Sequence, residues 1–110
     1  MSDDLCFVSI ADAARRMRAG TLTSTALTEA FLSRISAIDS RLNSYLLVTA
    51  EAARAQARAA DQERSRGPLH GIPIALKDNI ETAGIRTTAH SKVLADHIPA
   101  KDAKIGRAHV

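Results

Sequence analysis

The fold of this chain is decided by one stretch, Gly67-Pro68-Leu69-His70-Gly71-Ile72-Pro73-Ile74-Ala75-Leu76-Lys77-Asp78-Asn79-Ile80. A Gly-Pro break and a Gly-x-Pro break bracket the apolar run 72–76, which ends at a single lysine, Lys77. A short apolar run between such breaks predicts a strand, and a strand end can hold a charged group rigidly at a cleft. The pattern alone favours a simpler interpretation, in which Lys77 stands where a strand meets water.

Two helices are predicted near the start of the chain. Ser9 is a typical N-cap for the first helix and Gly20 a typical stop. Thr23 or Ser24 caps the second helix, which is expected to end near Asp39-Ser40. Its apolar positions recur with helical spacing and predict a buried stripe. The stripe comprises Leu27, Ala30, Phe31, Ile35 and Ile38, with Thr28, Glu29 and Ser33 facing outward.

An alanine-rich segment predicts a third helix, from the N-cap Thr49 to about Ser65, because alanine has the highest intrinsic helix propensity. Ahead of it, residues 45–48 are either a short extended segment or a buried connection. Beyond the predicted strand, residues 82–88 favour a loop and residues 89–94 the start of a short helix.

The predicted strand has no second clear strand to pair with. A lone strand leaves its backbone hydrogen-bonding groups unsatisfied, so we expect its partners to come from sequence outside this chain. We also expect the natural sequence to stop near Lys104. Residues 105–110 are what ATC GGA AGA GCA CAC GTC would encode, a common sequencing-adapter read, and we interpret them as a non-native tail.

Composition excludes several function classes. The net charge is +3 and aromatic residues make up only 3 % of the chain, so no basic, aromatic-rich surface for nucleic acid is predicted. Cys6 is the single cysteine, and the four histidines share no ligand-like spacing, so neither a disulfide nor a metal site is expected. The sequence has no signal peptide pattern and no apolar run long enough to span a membrane, which favours a cytoplasmic protein.

The stretch 67–80, followed by Gly84 and by Thr87-Thr88-Ala89-His90-Ser91, resembles the N-terminal part of the amidase signature family. Leu22-Thr23-Ser24, Arg34-Ile35 and Leu42-Asn43 precede it in the family's order, so the resemblance covers roughly residues 7–102. It implies an α/β fold in which N-terminal helices pack beside the first strand of a mixed sheet. Residues 1–104 would then be the N-terminal part of an amidase signature domain, truncated here.

The resemblance also implies a mechanism. Family members cleave or transfer amides through an acyl-enzyme, using a Ser–cis-Ser–Lys arrangement in which Lys77 matches the lysine and no cofactor or metal takes part. Burial behind an apolar strand would favour the neutral amine that a base requires. Both serines belong to a downstream Gly-Ser-rich stretch that this sequence lacks, and Ser91 is not expected to replace them. This polypeptide alone is therefore predicted to be inactive, with Asp78 and Asn79 orienting the loop after the strand.

The sequence is compatible with three functions, two of them enzymatic. A stand-alone amidase would act on small-molecule amides and could form a homodimer, without direct nucleic-acid or membrane binding. The A subunit of the aspartyl/glutamyl-tRNA amidotransferase shares the same signature but works with partner subunits. Two features favour the amidase. Position 81 is a glutamate, whereas those subunits often carry a cysteine or a similar small residue there, and the second feature is the Leu69-His70-Gly71 context. A small helical interaction module without catalysis is supported only by the missing serines.

Overall fold

Three α-helices lie in the first part of the residues that the structure describes. The structure, a computed structural model, describes residues 5–104, and the helices are α1 (Ile10–Ala19), α2 (Ser24–Leu42) and α3 (Ala50–Gln62). The chain divides into two compact units, Met1–Ile74, which contains all three helices, and Ala75–Val110. The predicted non-native tail, 105–110, lies outside the described residues.

Helix α1 begins and ends at the predicted residues. The Ser9 hydroxyl accepts a hydrogen bond from the Asp12 N–H at 3.0 Å, which satisfies one of the free donors of the first turn. At the other end Gly20 adopts a left-handed conformation with φ of 80°, and its N–H donates to the carbonyls of Arg16 and Met17. Both predictions are confirmed.

Helix α2 continues past its predicted end. Thr23 is its N-cap and accepts from the Ala26 N–H at 3.0 Å. The helix extends to Leu42 because Asn43 takes a left-handed conformation, φ 54°, and donates its N–H to the Asp39 carbonyl. The predicted outward position of Thr28 is wrong: only 4 % of this residue is exposed.

Helix α3 packs against α2 and brings small side chains to the contact. Ala57 is only 3 % exposed, and on the surface of the same pair of helices Arg54 forms an ion pair with Glu29. Thr49 occupies the N-cap position without a side-chain hydrogen bond, and the helix ends at Gln62 because Glu63 is already extended. The predicted end near Ser65 is therefore too late.

The core of the first unit is small. Its central buried cluster consists of Ala13, Leu22 and Leu27, and Leu27 is only 2 % exposed. Half-buried apolar side chains surround this cluster, namely Leu5, Val8, Met17, Phe31 and Ile72. The segment left open by the sequence, 45–48, is exposed.

The predicted strand over residues 72–76 is not formed. These residues belong to no helix or strand, and Ile74 and Leu76 are 77 % and 52 % exposed. A single strand is unstable because its backbone hydrogen-bonding groups are unsatisfied. Within residues 5–104 no neighbouring strand pairs with residues 72–76. The regular secondary structure of residues 5–104 is helical, and the α/β class remains an expectation drawn from the family.

The second unit is irregular and is closed by hydrogen bonds between two of its segments. Residues 97–103 return along residues 81–87: the Thr87 N–H donates to the His97 carbonyl at 2.9 Å, and the Gly84 N–H donates to the Pro99 carbonyl at 3.0 Å. The predicted loop over 82–88 is confirmed. The helix predicted to begin at Ala89 is replaced by turns, since Ala89 and His90 both have positive φ angles, 50° and 59°, which a right-handed helix cannot contain.

Candidate active site

The candidate site is the turn that carries Lys77. The Ile80 N–H donates to the Lys77 carbonyl at 3.0 Å, which closes a tight turn with Asp78 and Asn79 at its centre. Lys77 is therefore the first residue of the turn. Its backbone is held by this bond, and its side chain extends into solvent.

Asp78 ties this turn to a second one ten residues further along the chain. Its carboxylate accepts hydrogen bonds from the Thr88 N–H, at 3.1 Å, and from the Thr88 hydroxyl. Its backbone carbonyl accepts from the Ala89 N–H at 2.8 Å. The sequence predicted that Asp78 orients the loop after the strand; in the structure its bonds reach a separate segment of the same unit, at Thr88 and Ala89.

The hydrogen bonds to Asp78 also set its charge state. The Thr88 hydroxyl and then the Thr88 N–H hold the pKa of the Asp78 carboxyl below its usual value, and the Arg86 guanidinium adds a smaller effect in the same direction. Hydrogen bonds donated to a carboxylate stabilise its ionised form. Asp78 is therefore an anion whose oxygens are already engaged by Thr88.

The environment of Lys77 differs from the one expected. Its side chain is exposed, so the burial behind an apolar strand that we expected is not present. Within residues 5–104 its ammonium group forms no hydrogen bond or ion pair. The strand over residues 72–76, which was expected to bury the Lys77 side chain, is not formed. The role of Lys77 as a base stays a prediction.

Ser91 has an ordinary structural role. Its hydroxyl accepts a hydrogen bond from the Val93 N–H at 3.2 Å, and its own N–H donates to the Thr88 carbonyl at 2.9 Å. No hydrogen bond joins it to Lys77 within the described residues. The expectation that Ser91 does not replace the family's serines stays a prediction.

The histidines of the described residues are dispersed. His97 Nε2 lies 3.2 Å from a carboxylate oxygen of Glu81, and His70 Nε2 lies 2.9 Å from the Ala60 carbonyl, to which it donates. Over residues 5–104 no three His, Cys, Asp or Glu side chains come together in a way that could hold a metal ion. His109 lies outside the described residues.

A polar cluster in the first unit was missed by the sequence reasoning. The Asp61 carboxylate accepts from the Ser24 N–H at 2.6 Å and from the N–H and hydroxyl of Thr25 at 3.0 Å and 2.6 Å, so it neutralises the start of α2. Partial burial alone would raise the pKa of Asp61, but the hydrogen bonds from Thr25 and Ser24 outweigh it and lower the pKa. Asp61 and Ser24 are far apart in sequence, so no local pattern could have paired them.

The same cluster anchors the start of the stretch 67–80. The Ser24 hydroxyl donates to the Gly71 carbonyl at 2.6 Å. Gly71 has φ of 80°, and a Cβ atom there would lie 3.2 Å from Ser24 Cβ and 3.3 Å from Met17 Sδ. Both the left-handed backbone and the close approach of Ser24 and Met17 favour glycine at this position. The cleft beside it, of about 310 Å³, is lined in part by Met17, Asp61 and His70.

Comparison with known proteins assigns the chain to a family. The family model described as Amidase matches residues 26–107. This match includes nearly all of α2, α3, the stretch 67–80 and both turns of the candidate site. The chain belongs to the amidase family.

Three similar proteins carry the same name. The A subunit of glutamyl-tRNA(Gln) amidotransferase from Roseiflexus sp. (strain RS-1) is 44 % identical over 99 residues, which is 87 % of this chain and 20 % of the relative. The protein of that name from Thioalkalivibrio sulfidiphilus is 48 % identical over 100 residues, 88 % of this chain and 21 % of the relative. The one from Streptomyces coelicolor is 44 % identical over 106 residues, 93 % of this chain and 21 % of the relative. The chain spans about a fifth of the length of these relatives.

One further property concerns membranes. Among the helices described between residues 5 and 104, none combines the length and the apolar composition needed to cross a bilayer.

Proposed function

We propose that this chain forms part of an enzyme that cleaves the C–N bond of a carboxamide, as the A subunit of a glutamyl-tRNA(Gln) amidotransferase. The observation that carries the proposal is the identity of 44–48 % to proteins of that name, over 87 % or more of this chain. This reverses the preference stated from sequence. Two local features, Glu81 in place of a small residue and the Leu69-His70-Gly71 context, had favoured the amidase. They are weaker evidence than similarity along nearly the whole chain.

Lys77 is the proposed base. It lies in the part of the chain that the family model matches, and its backbone is fixed by the turn to Ile80. In the mechanism implied by the resemblance, its neutral amine takes a proton from the nucleophilic serine through a bridging serine, and the proton then passes to the leaving amine. Arginine cannot do this, because it does not deprotonate at accessible pH.

A stand-alone amidase is the second candidate function. Glu81 favours it, since the amidotransferase subunits often carry a cysteine or a similar small residue at this point. In the structure Glu81 is engaged within its own unit: its carbonyl accepts from the Ala103 N–H at 2.8 Å and its carboxylate faces His97. Of these two contacts only the one to His97 depends on the glutamate side chain, because the Ala103 bond uses the backbone.

The test uses the protein encoded by the complete reading frame that contains this sequence. Lys77→Ala and Lys77→Arg are expected to lower amide hydrolysis by about a hundredfold to ten-thousandfold, the contribution typical of general acid–base catalysis. Lys92→Ala removes another exposed lysine of the same unit and is the matched control, expected to leave activity unchanged. An active Lys77→Ala enzyme would contradict the proposed role.

The two candidate functions differ in their need for partners. The amidotransferase subunit should release ammonia from glutamine efficiently only when its partner subunits are present. A stand-alone amidase should hydrolyse small carboxamides by itself. The 110-residue chain alone is expected to do neither, and turnover by it that disappears in Lys77→Ala would overturn this expectation.

A further inference from the structure

We propose that the Asp78–Thr88 pair, the carboxylate of Asp78 with the hydroxyl and N–H of Thr88, is the positioning device for Lys77. Neither residue is assigned a role in catalysis by the family resemblance. The inference rests on the proposed function, because it presumes that Lys77 is the base. It adds the residues that hold the lysine turn in place.

Three hydrogen bonds connect the two turns of this unit. Two reach the Asp78 carboxylate from Thr88, and the third joins the Asp78 carbonyl to the Ala89 N–H. Asp78 follows Lys77 directly and lies inside the turn that Lys77 begins. Because both the side chain and the backbone of Asp78 are engaged, the peptide that follows Lys77 has little freedom to rotate.

The second turn is itself held in an uncommon conformation. Ala89 and His90 both have positive φ angles, which cost non-glycine residues free energy and persist only where the surroundings enforce them. Thr88 supplies that enforcement: its hydroxyl accepts from the His90 N–H at 3.1 Å, and its carbonyl accepts from the Ser91 N–H at 2.9 Å. Thr88 thus stabilises its own turn while it donates to Asp78.

The charge of Asp78 makes the pair effective. Hydrogen bonds to an ionised acceptor are shorter and stronger than bonds between neutral groups. The exposed Lys77 side chain has no bond of its own in residues 5–104, so its placement depends on the backbone that precedes and follows it. Loss of the Asp78–Thr88 pair should therefore misplace the amine without removing any group that binds substrate.

The decisive variant is Thr88→Val, which keeps the shape and the N–H of threonine and removes only the hydroxyl. In the protein encoded by the complete reading frame, kcat for amide hydrolysis is expected to fall by about tenfold to a hundredfold, the effect of a small misplacement of a catalytic group. KM should change by less than about twofold, since neither residue is placed in contact with substrate. Thr88→Ser restores the hydroxyl and should recover most of kcat.

Two further variants keep the test decisive. Thr82→Val removes another half-buried threonine hydroxyl of the same unit, one that donates only to the nearby Ile80 carbonyl, and is expected to leave kcat unchanged. Asp78→Asn retains the side-chain shape without the charge, and it should lower kcat with KM unchanged even if Thr88→Val fails to fold.

The outcomes separate the two proposals. If Lys77→Ala is inactive while Thr88→Val and Asp78→Asn keep wild-type kcat, the positioning role is wrong and the proposed function stands. An equal loss in Thr82→Val would also overturn the positioning role, because it would indicate general destabilisation. If Lys77→Ala itself keeps activity, the proposed role of Lys77 as the base fails, and the positioning role fails with it.

Discussion

The hydroxyl of Ser24 donates a hydrogen bond to the carbonyl of Gly71 at 2.6 Å, across 47 residues of sequence. Ser24 is the first residue of α2 and only 3 % exposed, and Gly71 lies in the turn that precedes the amidase stretch 72–80. This one bond ties the end of the helical unit to the start of its longest helix. The first two predictions concern this contact.

Replacing Ser24 with alanine is expected to lower the free energy of unfolding by about 1–2 kcal/mol, because the Gly71 carbonyl loses its donor in a partly buried site. Thr23 remains as N-cap, so helix α2 itself should form. Ser33→Ala, at an exposed position of the same helix, is the matched control and should change stability by less than about 0.5 kcal/mol. Chemical denaturation of both variants measures the difference; equal values would contradict the proposed importance of the bond.

Gly71→Ala should be more damaging than Gly20→Ala. Both glycines have φ of 80°, but a Cβ atom at position 20 meets nothing within 4 Å, whereas at position 71 it meets Ser24 and Met17. The left-handed conformation alone costs an alanine about 1–2 kcal/mol, and crowding at position 71 should add about another 1 kcal/mol. Thermal unfolding of the two variants isolates the crowding, and no difference between them would show that Met17 moves aside freely.

The stability of the first unit should depend on pH through Asp61. Its pKa in the folded chain lies below the ordinary value of 3.8, so its contribution to stability is fully present above that pH. The contribution is lost as the pH falls from there through the folded pKa, because the protonated carboxyl is a weaker acceptor than the carboxylate for the bonds from Ser24 and Thr25. Asp61→Asn should be less stable than the wild type at neutral pH and should lose less stability on acidification. Unfolding curves from about pH 6 to about pH 2 that run parallel for the two proteins would refute this.

A large side chain at position 57 should destabilise the contact between α2 and α3. Ala57 is 3 % exposed on the face of α3 that meets α2, so Ala57→Leu is expected to destabilise the chain by about 1–3 kcal/mol. Ala59→Leu makes the same change at an exposed position of the same helix and should be almost neutral. Stability measured by denaturant titration distinguishes the two, and a neutral Ala57→Leu would mean that the helices can separate without cost.

Local chemistry accounts for most of what could be predicted for the helical unit. The caps at Ser9 and Thr23, the stop at Gly20 and the alanine-rich α3 all follow from bonds made within a few residues. The ends of α2 and α3 were misplaced because they depend on the conformations of Asn43 and Glu63, which propensity does not specify. Thr28 was misassigned because helical periodicity leaves the width of the buried face undetermined until a second helix packs against it.

The order of the three helices and the family can be read from the sequence, since these depend on short-range patterns and on the residue string around Lys77. The pairing of distant polar groups becomes visible only in the folded chain, where Asp61 meets the start of α2, Ser24 meets Gly71, and Asp78 meets Thr88. The physical reason is that hydrogen bonds between distant residues depend on how the chain returns on itself. The strand over residues 72–76 depends on the same information, because a β-strand is stable only when another strand satisfies its backbone groups.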